Sequence, residues 1–85
     1  MYYVYLLRSK KTDKYYVGYC KDLRQRFYSH NKGENKATKP YTPWELVYYE
    51  AYPAKEPALE RERVLKNHGR TLSDLKRRIL LGRST

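Results

Sequence analysis

The sequence predicts a small α/β fold of the α+β type: a three-stranded, mainly antiparallel sheet flanked by three helices in the order β-β-α-β-α-α. Two short runs rich in aromatic and branched residues, separated only by a polar turn, give the pattern of a β-hairpin. A third such run follows a helical segment and a polar loop, and the remainder of the chain carries helical periodicity. The regular strand-helix alternation of a doubly wound parallel sheet is missing. With 85 residues, the chain is expected to form one domain over 1–85 with a thin core.

Tyr2 to Arg8 (YYVYLLR) and Tyr15 to Cys20 (YYVGYC) are the hairpin strands, closing around residues 9 to 12. Alternation places Tyr3, Tyr5 and Leu7 on one face and Tyr2, Val4 and Leu6 on the other, with Tyr5 opposite or diagonal to Tyr16. Gly18 inside a strand is costly unless something approaches its backbone closely or no side chain fits there. A ligand passing over Gly18 meets that condition. Asp22 caps a helix of about Leu23 to Lys32, with Leu23, Arg26, Phe27 and His30 on one side and Gly33 as its stop.

Residues 34–44, with Pro40 and Pro43, form a loop whose Lys36 and Lys39, together with Lys32, make it a candidate for gripping a strand. Glu45 to Tyr52 (ELVYYEAY) is the third strand, ended by Pro53. Pro57 fits the first turn of a second helix that runs to about Asn67 and is stopped by Gly69. Thr71 and Asp74 have capping-box spacing and open a third helix of about 72–81, with Leu72, Leu75, Ile79 and Leu80 as its core face.

Charge points to a polyanionic partner. Lys and Arg number 19 against 9 Asp and Glu, a net charge of +10 with a pI near 9.8. Eleven tyrosines against one Phe and one Trp give much of the apolar surface a hydroxyl, although Tyr is also an ordinary half-buried strand residue. A single cysteine, Cys20, excludes an internal disulfide and a multi-cysteine zinc site, and is read as a small buried strand residue. The first apolar stretch is too short to span a bilayer, and its charges follow it instead of preceding it. A soluble, cytoplasmic protein without a membrane partner is expected. A membrane-surface protein would need a long helix with one cationic and one apolar face, whereas these cations are scattered.

Helix geometry singles out a few side chains. On the second helix Ala58 and Leu65 mark the inward stripe, Glu62 lies about 40° from Ala58, and Glu60 points nearly the opposite way. A carboxylate aimed inward needs a cation, a metal ion or an open cleft, and an internal ion pair is the plain structural alternative. Arg26 and His30, spaced i,i+4, flank the Leu23/Phe27 stripe and project together from the core edge, while Arg24 points elsewhere. Solvated arginine and packing histidine are the alternatives. No P-loop or H-E-x-x-H motif appears, and the histidines are His30 and His68.

The triplets Tyr3-Val4-Tyr5 and Tyr16-Val17-Gly18, then Arg26 eight residues after the glycine, His30, and the Ala58-Leu59-x-x-Glu62 helix together resemble the GIY-YIG nuclease family over roughly residues 2 to 66. Tyr3 stands where the family name has Gly, as in small stand-alone members similar to the nuclease domain of the excision-repair incision subunit. The family's late asparagine has no clear counterpart, since Asn67 comes too early and Asp74 reads as a cap.

The resemblance implies a DNA endonuclease, a repair-type phosphodiester hydrolase, with Tyr5, Tyr16, Arg26, His30 and Glu62 as its catalytic set. Glu62 would be the sole protein ligand of Mg2+ or Mn2+, Arg26 would clamp the phosphate, and Tyr5, Tyr16 and His30 would share proton transfer and water positioning. Gly18, Lys21, Arg24, Lys36 and Lys39 would contact nucleic acid, DNA first and RNA second, with a larger protein as a further candidate for targeting. Two alternatives stay open: a nucleic-acid-binding module that has lost cleavage, and a basic RNA-associated structural protein.

Overall fold

Ser9 closes the first hairpin. Its N–H donates to the Lys14 carbonyl (2.9 Å), and its hydroxyl accepts from the Lys11 and Thr12 N–H groups (3.1 Å each) while donating to the Tyr41 carbonyl (2.7 Å). The computed structural model describes residues 1–83, with side chains through Leu81. The hairpin strands are β1 (Tyr2–Ser9) and β2 (Tyr15–Cys20). They are followed by α1 (Leu23–Asn31), a 3-10 turn (Lys39–Tyr41), β3 (Trp44–Tyr52), α2 (Lys55–Asn67) and α3 (Gly69–Arg83). The antiparallel sheet has the order β2-β1-β3, so the predicted element order and fold class hold.

The apolar strand positions are sorted as alternation requires. Val4, Leu6 and Val17 face α2 and α3, packing on Ala58, Leu65 and Leu75. Tyr5, Leu7, Cys20 and Trp44 form the core of the other face, under Leu23 and Phe27 of α1. Asp22 accepts from the Gln25 N–H (3.0 Å), the cap expected of it, and Gly33 ends the α1 region at φ +77°. Between Leu6 and Leu7 the β1–β3 register slips by one residue, and Val47 and Tyr48 consequently both join the α2/α3 side.

On that side Glu50 binds together an otherwise polar patch. Its carboxylate accepts from the Tyr48 and Tyr52 hydroxyls (2.5 Å each) and from Arg61 Nε at 2.9 and 3.1 Å. Burial opposes the charge, but the hydrogen bonds from Arg61, Tyr48 and Tyr52 outweigh it and hold the carboxyl below its usual value. Burial and the bond to Glu50 push the Tyr52 phenol up to about 12. Arg61 precedes Glu62, so this network pins α2 to β3 beside a candidate site residue.

The α2–α3 junction departs from the sequence reading. Gly69 does not stop α2; His68, at φ −120° and ψ 89°, makes the turn alone and Gly69 opens α3. The Thr71 and Leu72 N–H groups donate to the His68 carbonyl (3.0 and 3.3 Å), so Thr71 lies within the first turn and the expected Thr71–Asp74 capping box does not form. Asp74 instead pairs with Arg77 at 2.9 Å. Leu72, Leu75 and Ile79 pack inward, but Leu80, about 80° round the helix from Leu72 at helical spacing, is exposed. No described helix is long and apolar enough to cross a membrane.

Candidate active site

The sheet register brings the two motif tyrosines together. Tyr5 is paired with Gly18 and Tyr16 with Leu7, so the tyrosines are diagonal neighbours, with ring centroids 6.4 Å apart. The Tyr5 ring lies over Gly18. A Cβ there would overlap the ring's Cζ and Oη and stand 2.8 Å from Cε1. The close approach that requires glycine at this strand position is therefore made by Tyr5 itself, and Gly18 is buried beneath it instead of facing a ligand.

His30 sits at the buried end of the site. Its Nε2 is 2.8 Å from the Tyr5 hydroxyl and its Nδ1 is 2.8 Å from Thr38 Oγ1, while the ring is fully shielded from solvent. Thr38 Oγ1 also donates to the Asn35 carbonyl (3.4 Å), which leaves its lone pairs for His30 Nδ1–H. In that arrangement Nε2 accepts from Tyr5. Burial, reinforced by Arg26, lowers the His30 pKa, so the ring is neutral near pH 7. Burial and the neighbouring Tyr16 push the Tyr5 phenol well above its usual value despite the opposing effect of Arg26.

The loop after α1 supports this chain. The Trp44 indole donates to the Thr38 carbonyl (3.0 Å), and Asn31 clamps the Trp44 backbone through its Oδ1 (2.6 Å) and Nδ2 (3.1 Å). Sequence reasoning missed Thr38 and Asn31. A buried threonine in a polar loop leaves no periodic trace, and a side chain that bonds backbone leaves none either.

The solvent side of the site is formed by Tyr16, Arg26 and Glu62. The Tyr16 ring meets the His30 ring edge-on at 5.0 Å. Arg26 is exposed and makes no ion pair or side-chain hydrogen bond among the described residues, yet it and Glu62 both lie near enough to Tyr5 to act on its titration. α2 packs on the opposite sheet face, so Glu62 and Lys66 reach the site round the β2 edge, with Lys66 Nζ 5.8 Å from the Tyr16 ring centroid. As helix geometry predicts, the Glu62 side chain is 22% exposed against 61% for Glu60. Its partner is the Lys66 ammonium at 3.1 Å, an ion pair at the cleft wall rather than inside the core.

The donor set bears on the expected metal. No group of three or more His, Cys, Asp or Glu side chains is placed to hold an ion among the described residues, and Glu62 is the carboxylate that acts on Tyr5. A single hard-oxygen donor at an accessible edge suits Mg2+ or Mn2+, which retain waters and take phosphate oxygens, and Lys66 now supplies the positive charge beside it. The four basic residues expected to contact nucleic acid divide between the two ends of α1, about 13 Å apart at helical rise. Lys21 and Arg24 line an open groove at its start, and exposed Lys36 and Lys39 lie on the loop beyond its end.

Comparison with known proteins matches residues 1–78 to the GIY-YIG catalytic domain family. A UPF0213 protein of Staphylococcus saprophyticus is 39% identical over 70 residues, covering 81% of this chain and 84% of that protein. One from Streptococcus pneumoniae is 36% identical over 69 residues, covering 80% and 69%. The solution NMR structure of a UPF0213 protein from Bacillus halodurans aligns with a TM-score of 0.52 at 34% identity, covering 89% of this chain and 86% of that one.

Proposed function

The chain belongs to the GIY-YIG family, and from that membership we propose that it is an endonuclease hydrolysing phosphodiester bonds in DNA with Mg2+ or Mn2+. The observation that carries the reading is the buried Tyr5–His30–Thr38 chain whose outer end is met by Tyr16, Arg26 and Glu62. A buried histidine needs both ring nitrogens bonded in any case; what supports the catalytic reading is that one partner is the Tyr5 hydroxyl, with Tyr16, Arg26 and Glu62 beside it.

Hydrolysis needs an activated water, charge neutralisation on the phosphate, and help for the leaving oxygen. A phenol with a raised pKa stays protonated, so Tyr5 works as a relay: its oxygen takes a proton from the attacking water while its own proton passes to His30 Nε2. His30, whose pKa burial lowers, returns that proton to Tyr5 as the Tyr5 hydroxyl passes its own to solvent or to the leaving oxygen, which restores the starting state. Tyr16 covers the relay and positions the water, and the planar fork of Arg26 binds the phosphate as its charge grows. Glu62 would hold the divalent ion, which when bound would supply Lewis-acid polarisation of the phosphate. Lys21, Arg24, Lys36 and Lys39 add contacts to the strand backbone, so affinity falls steeply with salt.

The test is cleavage of duplex, branched and single-stranded DNA with Mg2+ or Mn2+, abolished by Glu62→Ala and severely reduced by Arg26→Ala or Tyr5→Phe. Binding without cutting on all three substrates overturns it. One observation favours a second reading, a binding module without cleavage: Asn67 is exposed at the end of α2 and Asp74 is paired with Arg77, so neither supplies the family's late asparagine. An RNA-associated structural protein predicts no dependence on Glu62 at all.

A further inference from the structure

Beside the Tyr5 site lies an open groove of about 560 Å³ between α1 and the sheet, and we propose that it is a stacking site for an unpaired nucleobase of the bound strand. The proposal rests on the nucleic-acid reading above and names the part of the substrate that this surface holds. Tyr3, Tyr49 and Phe27 supply the rings, and Arg24 stands on the rim beside Lys21, whose ammonium lies 5.5 Å from the centroid of the Tyr2 ring on the other sheet face. Tyr49 is 54% exposed and meets Tyr3 edge-on with centroids 6.0 Å apart, so the pair is not a closed stack.

A singly exposed tyrosine is ordinary, but three rings converging in one cleft of ligand size with Arg24 on its rim are not. The combination is what single-stranded nucleic acid requires: aromatic faces for bases and cations for the phosphates between them. A base inside a duplex has both faces covered by its neighbours and offers none to a tyrosine, so the occupant is unpaired. Asp22 also lines the groove, but its carboxylate is turned to the Gln25 N–H at the start of α1.

Placement ties the groove to the cutting site. Tyr3 is two residues from Tyr5 on the same strand face, about 7 Å along β1, and Tyr49 is paired with Tyr5 across β3. Phe27 follows Arg26 directly. A nucleotide adjoining the phosphate held by Arg26 therefore reaches these rings without leaving the strand's path.

The test measures binding in EDTA, so that cleavage plays no part, using labelled single-stranded and duplex oligonucleotides, with 2-aminopurine in the single strand as a direct report of stacking. Tyr49→Ala is expected to weaken single-strand binding by about 5- to 100-fold and to abolish the 2-aminopurine quenching. Tyr49→Phe keeps both, and Tyr28→Ala, which removes another exposed tyrosine outside the groove, changes neither. Duplex affinity stays the same throughout. Single-strand affinity of Tyr49→Ala within about twofold of wild type overturns the proposal, as does an equal loss for duplex or for an acidic peptide of matched charge. Tyr49-dependent stacking without any cleavage leaves the groove standing and sinks the nuclease reading; cleavage with Tyr49-independent binding does the reverse.

Discussion

Replacing Gly18 with alanine isolates the packing on which the site depends. In an ordinary strand the change is favourable by roughly 0.5–1 kcal/mol, because glycine loses more backbone freedom on folding. At Gly18 the new methyl overlaps the Tyr5 ring atoms Cζ and Oη and lies 2.8 Å from Cε1. Two relaxations are open. The ring can stay, with overpacking strain of about 1–3 kcal/mol. It can also swing away, breaking the bond to His30 and stranding two buried polar atoms at a similar cost of about 1–3 kcal/mol. Either route exceeds the backbone gain at most of its range, so Gly18→Ala is expected to destabilise by about 1–2 kcal/mol net, lowering Tm by roughly 4–16 °C for a chain of this size.

A double-mutant cycle assigns the cost. Tyr5→Leu removes the three clashing atoms, so Gly18→Ala in that background should be neutral or slightly stabilising, a coupling of at least about 1 kcal/mol with Tyr5. Urea unfolding of the four proteins reads it directly. Equal effects of Gly18→Ala in both backgrounds, or stabilisation of the wild type, would falsify the account of why glycine stands here.

Other expectations follow from the same geometry. The unfolded chain takes up a proton on His30 near pH 6.5 that the folded protein accepts only at lower pH, so this stability is present above that pH and is lost as pH falls through the folded value. The slope reaches at most about 1.4 kcal/mol per pH unit; a pH series of Tm values should show it in wild type and not in His30→Gln, and identical slopes would contradict it. Glu50→Gln should cost about 1–3 kcal/mol in urea unfolding, because Arg61 loses its carboxylate partner and one of the two oxygens that accept from Tyr48 and Tyr52 becomes an NH2 donor. Lys66→Met removes the cation beside Glu62, so Mn2+ binding followed by EPR without nucleic acid should tighten on the order of several-fold; unchanged or weaker binding argues against an ion at that carboxylate.

Periodicity made the site legible where residues sit on regular elements. Strand alternation brought Tyr5 and Tyr16 to one face, and helical spacing separated Glu62 from Glu60, because in both cases direction follows from position alone. It failed where tertiary contacts choose among locally equivalent backbones. The sharp turn at His68 left Gly69 free to begin a helix, and the slip at Val47 breaks the alternation of β3. The same boundary runs through the site itself. Tyr5 and His30 could be named from the sequence, but the order in which a proton moves between them depends on Thr38, which comes from a loop and is fixed there by Trp44 and, through Trp44, by Asn31. Residues that hold a functional pair in place thus carry the weakest sequence signal, and Thr38→Val is the change that separates the pair's presence from its orientation. The isosteric valine keeps the loop packed but removes the acceptor for His30 Nδ1–H, so it frees the ring to adopt the other tautomer, in which Nε2 no longer accepts from Tyr5.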